Sequence, residues 1–246
     1  MDRMLYVAMT GARETMRAQA ANNHNLANAS TVGFKADLQA FQARKVTGDG
    51  YESRVYATTS NTGYDDTEGV QISTDNGLDV AVQGNGYIAV QAPDGQEAYT
   101  RAGDFRVDSD GQLRTGTGLA VLGDGGPISV PPHSSIVVGG DGTISVVPLG
   151  QGPETKAEVG RIKLVNPADG DVIKSRDGLF RLRDGGTAEP DAAVRLASGV
   201  LEGSNVNVAD AMVNMIELSR RFDMQVKAMR AAEDNGSASA RLLSMR

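Results

Sequence analysis

Apolar and polar positions alternate with different periods in three regions of the chain. In the first region, apolar or small side chains recur every three or four residues, and polar Gln19 and Asn23 continue the spacing. This spacing predicts a helix over residues 3–28, about 37 Å long, with the recurring side chains along one side. Asn-rich sequence and Gly33 should end the helix, because Asn favours caps and turns over helix interiors. The apolar members of this stripe are Leu5, Met9, Ala12, Met16 and Leu26.

The same spacing returns over residues 206–243, where it predicts a second helix of about 55 Å. Ser204 and Asn205 precede it as candidate N-caps, and Asn235-Gly236 is expected to interrupt it. The predicted stripe, which Val213 and Ile216 widen, consists of Val208, Met212, Met215, Ser219, Phe222, Val226, Met229, Glu233, Gly236, Ala240 and Leu243.

Between the helices the pattern changes to short apolar or alternating runs separated by Asp-Gly steps such as Asp110-Gly111. Asp-Gly suits type I′ hairpin turns, because both residues tolerate positive φ. Short strands with frequent turn signals predict an antiparallel β-domain, sandwich or barrel-like. The predicted strands are Leu78–Val82, Tyr87–Val90, Phe105–Val107, Leu119–Leu122, Ile136–Val138, Thr143–Val147, Arg161–Val165 and Leu179–Leu182.

We therefore predict an α+β chain in four parts. An N-terminal assembly helix with an Asn-rich cap covers 1–34, an extended irregular connector 35–75, a β-rich outer domain 76–200, and a C-terminal assembly helix 201–246. An isolated apolar stripe is usually the core-facing side of an ordinary amphipathic helix. Here one such helix sits at each end of a β-rich chain, so the two can pair with each other or with neighbouring copies, like a coiled coil. Stripes rich in Met, Ala and Ser make weak isolated pairs that become ordered inside an assembly.

Composition narrows the function without pointing to any chemistry. The net charge of −7 disfavours nucleic acid and anionic membrane surfaces as partners. The absence of Cys excludes disulfides, Cys-based metal sites and thiol nucleophiles. No apolar run approaches the length of a membrane span, and the N-terminus lacks the pattern of a cleaved signal peptide. Gly numbers 30, which agrees with many tight turns.

Candidate catalytic and metal-binding residues form no complete motif. His24 and His133 are interpreted as surface or cap residues, and no Gly-x-Ser-x-Gly elbow presents a serine nucleophile. Asp108–Gly111 resembles half of an EF-hand loop, but Arg106 and Thr117 would occupy positions that need carboxylates. We expect no enzymatic activity, no cofactor and no metal. A secreted β-rich hydrolase with helical oligomerisation arms and a monomeric cargo or adhesin-like binding module stay open as alternatives.

Three stretches resemble the flagellar rod, hook and hook-associated family of axial proteins. Residues 21–35, ANNHNLANASTVGFK, are similar to the family's signature of Asn-Asn-Leu-Ala-Asn followed by Thr-x-Gly-Phe-Lys, with His24-Asn25 inserted. Residues 98–123 contain AYTRAGDF, DGQL and VLG, and residues 201–222 contain LEGSNVNV and RRF. The matches follow the family's order and span nearly the whole chain.

The resemblance implies a structural subunit of the bacterial flagellum without enzymatic activity. Such proteins leave the cell unfolded or partly folded through the flagellar type III export apparatus, without a cleaved signal. In the periplasm they stack helically into a hollow tube, with paired terminal helices on the inner wall and the β-domain outside. The implied partners are copies of the chain, other rod proteins and the export apparatus, with no nucleic acid and no membrane insertion. The implied place is the proximal rod of the basal body, and a distal-rod or hook-type position is the alternative.

Residues 3–28 and 206–243 are thus the expected assembly interface. The Asn cluster has two interpretations that stay open: a helix cap and turn, or amides that bridge neighbouring subunits and set their register. The expected self-assembly residues are Leu5, Met9, Ala12, Met16, Asn22, Asn23, Leu26, Asn28, Val208, Met212, Met215, Phe222, Val226 and Met229.

Overall fold

The structure is a computed structural model that describes residues 3–45, 55–152, 154–168 and 170–244, without the side chains of Arg3, residues 59–62 and Leu243. The predicted stripe residue Leu243 therefore lies outside the described side chains. The chain divides into two compact units. Unit 1 comprises Met1–Ala29, Ala36–Asp65 and Val206–Arg246, and unit 2 comprises Ser30–Lys35 and Asp66–Asn205. The units differ from the predicted ranges, because the turn at residues 30–35 belongs to the β-rich unit.

Unit 1 contains the two long helices, α1 (Arg3–Ala27) and α2 (Val208–Ser244). They run antiparallel, since Asn22 contacts Ala211 whereas Gly11 faces Gln225. The N-cap of α2 is Asn207, whose Oδ1 accepts from the amides of Ala209 and Asp210 at 3.0 and 3.4 Å. The predicted caps Ser204 and Asn205 are therefore wrong by two or three residues.

The helix α2 continues through Asn235-Gly236, so the predicted interruption is also wrong. The Ser239 hydroxyl donates to the Asn235 carbonyl at 2.8 Å and follows the helical path there. A single glycine in a helix lowers its stability without breaking the main-chain ladder.

A β-hairpin completes unit 1, where the sequence predicted an irregular connector. Strands β1 (Asp37–Lys45) and β2 (Val55–Tyr64) pair antiparallel from Asp37–Tyr64 to Lys45–Val55, with one irregularity after Leu38. Most of the β1 side chains are exposed. Because none of the described hairpin side chains is buried, the sequence of these strands lacks the apolar alternation by which a strand is recognised.

Unit 2 is antiparallel β-structure, in agreement with the predicted fold class. Its strands are β3 (Gln71–Ser73), β4 (Val80–Gln83), β5 (Tyr87–Gln91), β6 (Glu97–Thr100), β7 (Phe105–Val107), β8 (Leu113–Thr115), β9 (Ala120–Gly123), β10 (Gly126–Pro127), β11 (His133–Val138), β12 (Thr143–Pro148), β13 (Ala157–Arg161), β14 (Leu164–Val165), β15 (Val172–Lys174), β16 (Phe180–Leu182), β17 (Arg195–Ser198) and β18 (Val200–Glu202). In the described part, seven strands form a continuous sheet in the order β15-β16-β6-β5-β9-β8-β7, and β10 and β14 pair with β9 and β5 of this sheet. The smaller sheets are β11-β12-β13, β17-β4 and β18-β3.

The core of unit 2 is aliphatic, as a chain with 4 % aromatic residues and no Trp requires. Inward-facing side chains from β4, β5, β8, β9 and β12 form one cluster from which water is excluded. Its most deeply buried members include Val80, Ile88, Val90, Leu113, Val121, Ile144 and Ile162.

The hairpin turns differ from the predicted type I′. At Asp108–Gly111 the Gly111 amide donates to the Asp108 carbonyl at 3.1 Å, and the Asp108 amide donates to the Gln112 carbonyl at 3.0 Å. Positive φ is confined to Gly111 in this turn, which corresponds to a type I turn followed by a glycine bulge. The Asp108 carboxylate accepts from the Asp110 amide at 2.9 Å and favours this geometry.

Candidate assembly site and buried ion cluster

Small side chains line the contact between the two helices of unit 1. On α1 the buried small side chains are Ala8, Ala12, Thr15 and Ala18, and the Glu14 side chain is also buried, where it pairs with Arg17 at 3.1 Å. On α2 the buried or half-buried positions include Ala211, Met215, Leu218, Phe222, Gln225 and Met229, and Val226, Ala228, Ala232 and Gly236 are half-buried as well. We call the following residues the inner seam: Ala8, Ala12, Thr15 and Ala18 on α1, and Ala211, Met215, Leu218, Phe222, Gln225 and Met229 on α2. Small residues on one helix let the larger residues of the other approach closely, which gives weak but well-fitted packing.

The predicted stripes only partly coincide with the inner seam. Of the predicted α1 residues, Ala12 is buried, and Leu5 and Leu26 are half-buried. The predicted α2 residues Met215, Phe222, Val226 and Met229 are half-buried, whereas Val208 and Met212 are exposed. The spacing alone did not distinguish the packed side of each helix from an apolar side that faces outward.

Each helix carries a second apolar surface away from the inner seam. On α1, Met9 and Met16 are 49 % and 57 % exposed and point about 95 to 115° away from the seam at 100° per residue. On α2, Val213 and Ile216 are both 56 % exposed and point about 140 to 160° away from it. We call the exposed sets the outer stripes: Met9 and Met16 on α1, and Met212, Val213, Ile216 and Met224 on α2.

The side chains of the Asn cluster make separate hydrogen bonds within unit 1. The Asn22 side-chain amide donates to the Ala211 carbonyl at 2.8 Å and joins the two helices of one chain. Asn25 donates to the Asp37 carbonyl and accepts from the Asp37 amide at 3.0 and 2.8 Å, which fixes the start of β1. Asn28 donates to the His24 carbonyl at the end of α1 at 2.9 Å. The Asn23 side chain is exposed, so a bridge to a neighbouring subunit is a prediction for Asn23 alone.

A cleft of about 330 Å³ lies between α1, β1 and α2 in unit 1. Ala18 and Leu218 lie on its apolar part, and the Asp37 and Arg221 side chains line its polar part. His24 Nδ1 lies 2.8 Å from Asp37 Oδ2. The cleft mixes apolar and charged groups and contains no arrangement of an acid, a base and a nucleophile.

In unit 2, the turn at residues 30–35 is pressed against the β-structure. Gly33 has φ of +66°, and a Cβ there would lie 2.3 Å from the amide nitrogen of Ala102 and the carbonyl carbon of Arg101. The Gly33 amide donates to the Glu202 carbonyl at 2.7 Å. Only glycine satisfies both the left-handed conformation and this close approach. The turn is therefore an integral part of unit 2.

Three charged side chains are buried beneath this turn. Lys35 Nζ lies 2.8 Å from Glu202 Oε1, and Arg101 Nη1 lies 3.1 Å from Glu202 Oε2. The side chains of Lys35, Arg101 and Glu202 are 0 %, 1 % and 3 % exposed. Buried charges are tolerated only when they are paired and hydrogen-bonded. We call these three residues the ion cluster.

Carbonyl groups and aromatic rings complete the surroundings of the ion cluster. Lys35 Nζ also donates to the Thr67 carbonyl at 2.7 Å, and Arg101 Nη2 donates to the Gly84 carbonyl at 2.8 Å. The Arg101 guanidinium lies 5.4 Å from the centroid of the Tyr87 ring. Arg101 Nε is a buried nitrogen without a hydrogen-bond partner in the described part of the chain. Among the described residues, the two cations thus depend on the Glu202 carboxylate for charge compensation.

The ion cluster is the feature that sequence reasoning missed. Each of the three family-like stretches supplies one member: Lys35 ends the first, Arg101 lies in the second and Glu202 begins the third. Lys35 is the only Lys, Arg, Asp or Glu in its stretch, but the second and third stretches contain several other charged residues, so the sequence did not single out Arg101 or Glu202. Spacing along the chain could not reveal that residues separated by 66 to 167 positions meet.

Two further side chains in unit 2 have shifted pKa values. Burial raises the pKa of the Tyr99 phenol to about 12. Its hydroxyl donates to Glu97 at 3.0 Å and accepts from the Ala188 amide at 2.6 Å. Burial also raises the pKa of the Asp104 carboxyl, and the nearby Asp79 charge acts in the same direction. The Tyr99 hydroxyl thus links Glu97 to the segment at Ala188, and the Asp104 carboxylate accepts from the Gly116 amide.

Within residues 3–45, 55–152, 154–168 and 170–244, no three His, Asp or Glu side chains converge as they would around a metal ion. Helices of that same part of the chain are all too short or too polar to cross a membrane.

Comparison with known proteins agrees with the resemblance of the three stretches. The family model described as "Flagellar hook protein FlgE/F/G D1 domain" matches residues 81–146, and that described as "Flagellar basal body rod FlgEFG protein C-terminal" matches residues 197–242. The chain is 46 % identical to the flagellar basal-body rod protein FlgF of Salmonella typhimurium over 251 aligned positions, which cover 100 % of both chains. The chain belongs to the family of flagellar basal-body rod proteins.

Two other relatives show the range of this family. FlgF of Escherichia coli is 45 % identical with 100 % of each chain covered. FlgG of Bacillus subtilis is 31 % identical, with 95 % of this chain and 96 % of the relative covered. Flagellar basal-body rod proteins are structural, so the expectation of a non-enzymatic subunit is confirmed, and the hydrolase alternative is set aside.

Proposed function

We propose that the chain is a structural subunit of the proximal rod of the flagellar basal body and that it polymerises helically through its outer stripes. Full-length identity to FlgF proteins at 45 and 46 %, compared with 31 % to a FlgG protein, supports the proximal position over the distal one. The proposed partners are copies of the chain, neighbouring rod proteins and, during export, the flagellar type III apparatus.

One observation carries the assembly part of the proposal: α2 is apolar on two sides. The inner seam uses one side for α1 of the same chain, and the outer stripe leaves Val213 and Ile216 more than half exposed on the other. A surface helix with one partner normally has a polar side opposite that partner. Apolar residues there are expected where another subunit will cover them.

The outer stripes on α1 and α2 are different surfaces, so they suit a head-to-tail contact. If the stripe of one copy packs on the other stripe of the next, the contact repeats without closing into a small ring. Met is well suited to such a contact, because its flexible thioether adapts to a neighbour's surface. The resulting polymer is an open helical stack, which is the arrangement a rod requires.

The test is a charge substitution within the α2 outer stripe. Val213→Glu with Ile216→Glu should leave the monomer folded, because both side chains are exposed, but should abolish rod completion. The readouts are circular dichroism of the purified variant, swimming in soft agar after complementation of a deletion strain, and electron microscopy of its basal bodies.

Leu149→Glu is the matched control, since Leu149 is 65 % exposed and belongs to unit 2, whereas both outer stripes belong to unit 1. This variant should swim like the wild type. Complete rods and normal swimming of the double variant would show that α2 does not assemble through this surface. Complete rods in a strain that lacks the gene would contradict the rod assignment itself.

A further inference from the structure

The ion cluster contains two cations and one anion, and the anion comes last along the chain. Lys35 and Arg101 precede most of the strands of unit 2, whereas Glu202 ends the final strand, β18. Until residue 202 joins the fold, the two cations have no buried counter-charge in the cluster. Burial of an uncompensated charge is strongly unfavourable.

Glu202 binds the surrounding segments with both its side chain and its main chain. Its Oε1 accepts from Lys35 Nζ and from the Gly69 amide at 2.8 and 3.1 Å, and its Oε2 accepts from Arg101. Its carbonyl accepts from the Gly33 amide. The turn at 30–35 and the segment that begins at Asp66 are therefore tied to the same residue.

These tied segments are the places where the chain enters and leaves unit 2. Within the unit, Asn205 donates to the Phe34 carbonyl through its main chain and to the Thr67 carbonyl through its side chain. Lys174 Nζ adds a bond to the Lys35 carbonyl at 2.6 Å and lies 3.9 Å from the Phe34 ring centroid. Within unit 2, closure of the cluster thus holds together residues 33–35, 67–69 and 202–205.

We propose that Glu202 is the closing residue of unit 2: the ion cluster keeps the 30–35 turn and the 66–69 segment open until the C-terminal strand docks. In a chain without β18, the Lys35 and Arg101 cations repel each other, and the turn at 30–35 is not held against the β-structure. Unit 2 therefore closes around this turn only when its last strand is present. This inference concerns the folding of the chain and does not depend on the rod proposal.

The experiment compares full-length wild type with Glu202→Gln, which keeps the shape of the side chain and removes its charge. Hydrogen exchange should report a loss of protection of about 100-fold or more at the Gly33 and Gly69 amides. In stopped-flow refolding, followed by pulse labelling of peptides from β5 and β9, the refolding rate should stay within about 2-fold of wild type. The unfolding rate should rise by about 100-fold, as expected for contacts formed after the transition state.

Glu97→Gln is the matched control, because Glu97 pairs with Lys163 at 2.8 Å in the same unit, with both side chains mostly buried. It should leave the Gly33 and Gly69 amides protected. If Glu202→Gln does not fold, Arg101→Met replaces it, because this variant retains a neutral Lys35–Glu202 pair and should show the same kinetic pattern more weakly.

A second variant separates charge compensation from packing. The triple change Lys35→Met, Arg101→Met and Glu202→Leu removes all three charges and should recover most of the urea midpoint lost in Glu202→Gln. Refolding slowed in proportion to the loss of stability would place Glu202 in the folding nucleus and overturn the proposal. Unchanged protection at Gly33 and Gly69 would overturn it as well.

Discussion

Gly33 offers a quantitative test of how the turn at 30–35 is held, because steric contact and backbone strain can be separated with two other glycines. Gly95 has φ of +82° with no atom within 4 Å of a built Cβ. Gly69 is outside the positive-φ set, but its Cβ would lie 1.9 Å from the Gly203 carbonyl oxygen. Gly33 combines both conditions, with its Cβ 2.3 Å from main-chain atoms.

The expected losses of unfolding free energy follow from these environments. Gly95→Ala should lose about 1 kcal/mol, since the left-handed conformation costs L residues about 1 to 2 kcal/mol. Gly69→Ala should lose about 1 to 3 kcal/mol, because the contacting atoms are main chain and cannot rotate away. Gly33→Ala should lose about 2 to 5 kcal/mol, the combination of the two effects.

Urea unfolding of the three variants, followed by circular dichroism with the slope of the transition held common, measures the free energies. Hydrogen exchange at residue 33 should show the loss locally for Gly33→Ala, because that amide donates to the Glu202 carbonyl. A Gly33→Ala variant within about 0.5 kcal/mol of Gly95→Ala would mean that the turn does not press on residues 101–102, and the account of unit 2 would fail.

Three smaller predictions address unit 1 and the titrating groups. Asn22→Ala should destabilise unit 1 by about 1 kcal/mol in urea unfolding, because it removes the bond to the Ala211 carbonyl; an unchanged midpoint would mean that this bond does not join the helices. Tyr99→Phe should cost about 1 to 3 kcal/mol at pH 7, because the Ala188 amide loses its acceptor. The wild-type protein should lose stability as the pH rises above about 10, because the raised pKa of Tyr99 means that the unfolded state releases this proton before the folded state does. Tyr99→Phe should lack this loss of stability. Asp104→Asn should be more stable than wild type at pH 7, because the raised pKa of Asp104 shows that the folded state disfavours its charged form. The difference in stability should shrink on acidification, as the wild-type carboxyl becomes neutral in the folded state. A difference in thermal unfolding that does not change with pH would contradict this.

The sequence alone determined the main elements and the family. Helical periodicity located both long helices to within about two residues of their observed ends, which is the usual uncertainty of helix boundaries. The apolar run Tyr87–Val90 located a strand that is buried along its length, and the alternation of Phe105–Val107 around the exposed Arg106 located a strand that is buried on one face. The three family-like stretches indicated the family, but they did not reveal that Lys35, Arg101 and Glu202 meet.

Tertiary structure decided which side of each helix is packed and which charges meet. Met9 and Ala12 share one predicted stripe, yet one is exposed and the other buried, because the partner helix covers only part of a broad apolar surface. The β1–β2 hairpin escaped prediction, since exposed strands need no apolar alternation. Lys35, Arg101 and Glu202 lie far apart in sequence, and only the path of the β-structure brings Lys35 and Arg101 within 2.8 and 3.1 Å of Glu202. A local pattern records the neighbours a residue has along its own element, whereas a buried charge is decided by partners from elsewhere in the chain.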